Sequence, residues 1–255
     1  MLTAITRDVN PGMGNCELTF MPRVGIDIGL ASQQHQQYQS VLSSLGCDVI
    51  TAPTVSGLAD SVFIEDTALV LDELAVLCRP GAESRRAEVT GVRNILQRYR
   101  KLESIQSPGT LDGGDLLQVG NIIVAGLSTR SNKSGIDQLR AIVADYGFSV
   151  QTITMTKCLH LKSAVSEVAP GLLLINPDWI SLSAFGNFEL IDIDDAEPHA
   201  ANALRVGTRV IYPSTFPRTT EKLVQRGIDV TPIDVSELQK AEGAVTCCSL
   251  IFSSQ

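Results

Sequence analysis

The stretch Asp115–Arg140, DLLQVGNIIVAGLSTRSNKSGIDQLR, decides the fold. An apolar run leads into a Gly120-Asn121 turn, and a second apolar run follows. Gly, Ser and Thr then punctuate the chain before a segment with helical periodicity. A two-residue Gly-Asn connection between apolar runs is a hairpin signal. In the helical segment Ile136, Leu139, Val143 and Tyr146 share one face, and Gly147 stops it. The plan recurs. Thr67–Val89, TALVLDELAVLCRPGAESRRAEV, turns at Asp72-Glu73 and continues into a helix with Val89, Val92, Leu96 and Tyr99 on one face. Asn202–Val224, NALRVGTRVIYPSTFPRTTEKLV, turns at Gly207-Thr208.

Room for one further unit lies between the second and third of these stretches. It would begin near His160 and contain GLLLINP, a weaker match. A helix with Tyr38, Val41, Leu42 and Leu45, ending at Gly46, precedes the strand CDVITA, Cys47–Ala52. An N-terminal strand and the final AVTCCSLIF, read as a strand, complete a circle. The expectation is an α/β protein of about five β-β-α-β units in a radial array. Repeats of this size mean a solenoid or a propeller-like ring, and the helices exclude a pure β-propeller. No linker or low-complexity segment interrupts residues 1–255, so one domain is expected.

Composition narrows the function. Hydrophobic residues make up 44% and charged residues 19%, an ordinary globular balance. The net charge is −8 with no basic block, which argues against nucleic acid as a partner and favours a small cation. No apolar run reaches bilayer length, and no leader pattern opens the chain; a cytoplasmic protein without a membrane partner is expected. Six scattered cysteines fit a reduced compartment. There is no C-x-x-C pair and the three histidines lie far apart, so no metal site is expected. No pattern encodes the oligomeric state; a homodimer is allowed.

Radial arrays bring the strand ends of every unit towards one axis. The residues at those positions are Asp60, Glu65 and Asp66, then Asp112 and Asp115, then His160, and finally Cys247. Each acid alone reads as a turn residue. His160, between two leucines, reads alone as a core histidine, and Arg85 and Arg130 read alone as solvated charges. Together the set is different. Cysteine with histidine suffices for thiolate attack and proton transfer to a leaving group. Surrounding carboxylates raise a thiol pKa, so the arrangement works only if the substrate brings positive charge. A guanidinium fits, being planar, forked towards carboxylates and electrophilic at its central carbon. Adjacent Cys247 and Cys248, if on a strand, face opposite ways, leaving Cys248 to pack as a small hydrophobe. Cys16, Cys47, Cys78 and Cys158 read as spectators, and Lys162 as a surface or ion-pairing group.

The motifs DSVFIED (60–66), RPGAESRR (79–86), GTLDGGD (109–115), STRSN (128–132), LHLKS (159–163) and VTCCS (245–249) closely resemble, in order, those of the dimethylarginine dimethylaminohydrolases. These are guanidino-modifying enzymes with the five-bladed α/β propeller called the pentein. The resemblance implies hydrolysis of Nω-methylated L-arginine to L-citrulline and methylamine or dimethylamine, through a covalent cysteine thiouronium and without a cofactor. It implies Cys247 as nucleophile, His160 as general acid and base, and Asp112 as the acid supporting the histidine. Glu65 and Asp66 would meet the guanidinium. Asp60 would hold the α-amine, and Arg85 and Arg130 would clamp the α-carboxylate. Leu18, in NPGMGNCEL, would supply a backbone contact from a mobile lid, and Ala241 a backbone carbonyl for the amine. An arginine deiminase on the same scaffold is the alternative. A non-catalytic pentein is disfavoured by the retained Cys247, His160 and acidic residues.

Overall fold

The computed structural model describes residues 1–254. Its strands group into five separate three-stranded sheets, and each sheet is one unit of the repeat. The first unit comprises β1 (Leu2–Arg7), α1 (Ile28–Ser44) and β2 (Cys47–Ala52). The second comprises β3 (Ala68–Val70), β4 (Leu74–Leu77), α2 (Val89–Leu96) and β5 (Lys101–Ser104), and the third β6 (Leu116–Val119), β7 (Ile122–Leu127), α3 (Lys133–Ala144) and β8 (Ser149–Thr154). The fourth holds β9 (Val165–Ala169), β10 (Leu172–Ile175) and β11 (Glu189–Asp192), and the fifth β12 (Leu204–Val206), β13 (Arg209–Pro213), α4 (Pro217–Gln225) and β14 (Asp229–Ile233). After α5 (Ser236–Gln239), β15 (Leu250–Ser253) returns to pair antiparallel with β1, Leu2 opposite Ser253, and completes the first sheet. The five-bladed pentein is therefore the fold.

In every sheet the middle strand has one antiparallel and one parallel neighbour, as β3–β4 and β4–β5 illustrate. A parallel neighbour requires a crossover connection, and a helix supplies it in four of the five blades. The middle strands are buried on both faces, which is why they read as unbroken apolar runs. Their alternation has a further use. Leu74 and Val76 of β4 enter the cluster shared with the third blade, whereas Ala75 and Leu77 enter the cluster shared with the first. Leu173 and Ile175 of β10 likewise face the third blade, while Leu172 and Leu174 face the fifth. Five apolar wedges, one between each pair of neighbouring blades, thus hold the ring together.

Two expectations are corrected. The fourth unit has no α-helix: its crossover contains one short 3₁₀ turn, Leu182–Phe185. Pro177 and Gly186 punctuate that connection and leave too little uninterrupted chain for a helix to nucleate. AVTCCSLIF is a strand only from Leu250. Cys247 and Cys248 lie in a turn in which Cys247 N–H donates to the carbonyl of Ala244 at 3.2 Å. The two thiols still diverge, through turn geometry rather than strand alternation. Cys248 is fully buried in the wedge between the fifth and first blades.

The innermost strands β3, β6, β9, β12 and β15 surround a central channel. Just before each of them the chain makes a tight turn, and these turns close one end of the channel. No described helix is long and apolar enough to cross a membrane.

Candidate active site

One cavity of about 290 Å³ lies above the inner strands and is lined by Cys247, His160, Asp66, Asp60, Arg85 and Arg130, together with Glu17, Ala241 and Glu242. Contributions from every quarter of a 255-residue chain meet there. The 3₁₀ turns Ile64–Thr67, Gly113–Asp115 and Leu161–Ser163, one at the start of each of three blades, position the acids and the histidine.

The GTLDGGD turn passes so close to its neighbours that two positions tolerate only glycine. A Cβ on Gly113 would lie 2.0 Å from the carbonyl oxygen of Glu65, and one on Gly114 would lie 2.8 Å from the His160 ring and 2.9 Å from Asp66 Oδ1. In return Gly114 N–H donates to Asp66 Oδ1 at 2.9 Å.

His160 Nε2 lies 3.1 Å from Asp112 Oδ2 and 3.8 Å from Asp66 Oδ1. Burial acts to lower its pKa, but the charge of Asp66, the bond to Asp112 and the charge of Asp115 outweigh it and raise the value to about 9. The ring is an imidazolium at neutral pH. Asp66 shows the reverse: burial alone would raise its pKa, but His160 and Arg85 hold it at about 2. For the Cys247 thiol, burial comes first, then the charges of Glu65 and Asp66, and all push the pKa far up. The nucleophile candidate is therefore held as a thiol by burial and the surrounding carboxylates.

The two arginines are not equivalent. Arg85 is buried, not solvated: its NH1 donates to Asp66 Oδ2 at 2.5 Å, its Nε and NH2 fork onto Glu88 at 3.1 and 2.8 Å, and NH2 also reaches the Phe63 carbonyl. Each of its three nitrogens already has a protein partner. Arg130 is also buried, yet its NH1 has no hydrogen-bond partner among the described residues. A desolvated, unpartnered guanidinium nitrogen on a cavity wall is a costly feature unless a ligand's acceptor completes it.

Asp60 lines the cavity, and its carboxylate accepts from the Glu17 N–H at 3.1 and 3.2 Å. Leu18 is half-buried and packs on the wedge between the fifth and first blades, outside the cavity lining. Glu65 is also outside it. Its carboxylate points to the central channel, where it accepts from Lys162 Nζ at 2.6 Å and from the Thr246 hydroxyl at 2.9 Å. Its backbone N–H donates to the Cys247 carbonyl, which places Glu65 immediately behind the nucleophile candidate.

Asp115, one of the converging acids but without an assigned role, and Glu88 and Thr246 complete the site. Buried Asp115 accepts from Leu161 N–H at 3.1 Å and from the Ser128 hydroxyl at 2.6 Å, fixing the residue next to His160. Burial, partly offset by His160, raises its pKa to about 6. Its place in GTLDGGD was a usable signal. Glu88 and Thr246 had none. Asp66, Asp112 and His160 also bring ligand-type atoms within 4.8 Å of one another. A cation there would have to displace the His160 proton and share Asp66 with Arg85, so the group is better suited to holding a proton than a metal.

No family model matches the chain. Individual relatives do. It is 37% identical over 228 residues to the N(G),N(G)-dimethylarginine dimethylaminohydrolase of Pseudomonas aeruginosa, covering 89% of this chain and 90% of the relative. Against the Streptomyces coelicolor enzyme of the same name it is 34% identical over 257 residues, covering 97% and 95%. Among solved structures, a variant of the Pseudomonas aeruginosa enzyme complexed with citrulline superimposes with a TM-score of 0.94 at 35% identity, covering 99% of this chain and 100% of the other.

Proposed function

The chain belongs to the dimethylarginine dimethylaminohydrolase family and is a hydrolase of guanidino C–N bonds; from that premise we propose that its substrate is an Nω-methylated L-arginine, cleaved to L-citrulline and methylamine or dimethylamine. One observation carries the reading. A single cavity holds a thiol kept protonated by burial and carboxylates beside a histidine kept protonated by carboxylates. Neither is competent alone. A planar cation changes both, since its charge offsets Asp66 and lowers the cost of ionising Cys247.

In this mechanism the α-carboxylate of the substrate takes the free donor of Arg130, and the α-amine takes Asp60 and the Ala241 carbonyl. Arg85 acts by holding Asp66 in place rather than by offering donors of its own. Asp66 receives the guanidinium, with Glu65 adding negative charge from behind Cys247. Binding of the cation releases the thiol proton to solvent. The thiolate attacks the guanidinium carbon, and the resulting tetrahedral centre collapses as His160 gives its proton to the departing amine. This leaves a planar cationic thiouronium. Water adds to it as neutral His160 takes one of its protons, and the second tetrahedral centre expels the thiolate, loses its hydroxyl proton to solvent and yields citrulline. Asp112 keeps the imidazole oriented and basic enough to make both transfers. The chemistry needs neither a metal nor an organic cofactor.

Citrulline release from dimethylarginine, monomethylarginine and arginine, measured side by side at equal concentration, tests the assignment. The methylated substrates are expected to turn over faster. Faster turnover of arginine would overturn the substrate assignment in favour of a deiminase.

A further inference from the structure

The segment Glu17–Arg23 connects two cavities. Glu17 lines the active-site cavity, while Phe20 and Met21 line a neighbouring apolar cavity that also contains Trp179, the one tryptophan of the chain. The segment contains no helix or strand of its own, so something else must hold it. Its first attachment is at Glu17, whose N–H donates to the Asp60 carboxylate and whose own carboxylate accepts from the exposed Ser84 hydroxyl at 2.7 Å. The second is stronger. The carboxylate of Glu242 accepts from three consecutive backbone N–H groups, of Thr19 at 3.1 Å, Phe20 at 2.5 Å and Met21 at 2.6 Å. Successive N–H groups converging on one point form an anion nest, and here the anion belongs to the protein itself.

Glu242 pays a conformational cost to reach that position: its φ is +58°, in the left-handed region that a non-glycine residue rarely occupies. The conformation is enforced from both sides. Ala241 lines the active-site cavity, and Gly243 packs so tightly that a Cβ there would meet the Phe63 ring at 2.1 Å. We propose that Glu242 is the latch of the 17–23 segment, a positioning residue that holds this strap across the active site while substrate is bound. The argument rests on the reading of this cavity as the substrate site. A substrate α-amine and the Glu17 N–H compete for Asp60, so binding loosens the first attachment. The second, on a residue adjacent to the amine subsite but not consumed by it, then keeps the strap in register.

Three variants test the latch. Glu242→Ala removes the acceptor, Glu242→Gln keeps its shape with a weaker acceptor, and Glu242→Gly removes the acceptor while relieving the left-handed backbone. In the free protein, hydrogen exchange at the amides of residues 19–21 is expected to accelerate by about tenfold or more in Ala and Gly and by less in Gln. Trp179 fluorescence should shift to the red as its cavity loses Phe20 and Met21. With substrate, KM is expected to rise roughly tenfold in Ala and Gly with a much smaller change in kcat, and Gln should recover part of it. The Gly variant should keep or raise the Tm, separating a loosened strap from a failed fold. Unchanged exchange at residues 19–21 in both Ala and Gly would overturn the latch. So would a loss confined to kcat, which would assign Glu242 to the reacting centre instead. Exchange is read without substrate, so a wrong substrate assignment cannot imitate the exchange result.

Discussion

The ring axis carries charge at two levels, and the difference lies in what that charge is bonded to. In the central channel Lys162 is paired with Glu65 at 2.6 Å and Arg205 with Glu167 at 2.6 Å, and Thr246 completes Glu65. In the cavity above it Arg130 keeps an orphaned donor, His160 holds a proton to about pH 9, and Cys247 is a thiol that burial and carboxylates keep from ionising. Polarity alone therefore does not mark a site. The channel is the larger of the two and is charged as well, but its charges satisfy one another. The cavity is where satisfaction has been withheld, and a ligand that is cationic at one end and anionic at the other supplies it.

The contrast can be broken most decisively at the candidate nucleophile, Cys247. Cys247→Ser is expected to lower kcat by roughly 10⁴-fold or more and to abolish covalent labelling by a haloacetamidine. Labelling at the parental rate would remove Cys247 from the reaction. His160→Gln comes next, with kcat lower by about 10²–10⁴-fold, the range for losing a positioned acid and base. Lys162→Met tests the channel. It leaves Glu65 buried and unpaired, and breaking a buried pair in this way costs about 3–5 kcal/mol of stability. Denaturant unfolding should show that loss, and Lys162→Met with Glu65→Gln should regain much of it. If the double variant is no more stable than the single one, the pairing is not what the channel contributes. Arg130→Ala should raise KM by about 10- to 100-fold, the worth of one hydrogen bond to a charged group, with kcat less affected.

The smallest effect is one of pH. His160 has a folded-state pKa of about 9, above the roughly 6.5 of an unfolded histidine. A raised value means that the folded state binds the proton more tightly. Its stabilisation is complete below pH 6.5 and disappears as the pH rises through 9. The Tm should therefore fall between pH 7 and pH 9.5 by more in the parent than in His160→Gln. Equal falls would show that the imidazolium does not contribute.

Much of this architecture is legible before any coordinates, because it rests on local signals. The Gly120-Asn121 and Gly207-Thr208 turns and the buried middle strands fall where alternation and turn residues put them. The missing helix of the fourth blade was legible only in hindsight, from Pro177 and Gly186. The strand assignment of Cys247 failed because a short apolar run does not distinguish a strand from a packed turn. Pairings across the ring left no local trace. Arg85 looked like a surface charge, since nothing near it in sequence says that Asp66, 19 residues earlier, would be buried against it. Glu242 and the amides it holds are more than 220 residues apart. The candidate set of Cys247, His160 and their acids could be picked out through its motifs, while the partition of charges into satisfied and unsatisfied needed three dimensions.

The strand that seals the ring, β15, begins three residues after Cys247, and its partner β1 lies at the opposite extreme of the sequence. The sulfur proposed to react is thus seated next to the pairing with the longest loop to close, and long-range pairings of this kind form slowly. During refolding, turnover should return with the slowest structural phase, so activity reports on a finished ring rather than on any one blade.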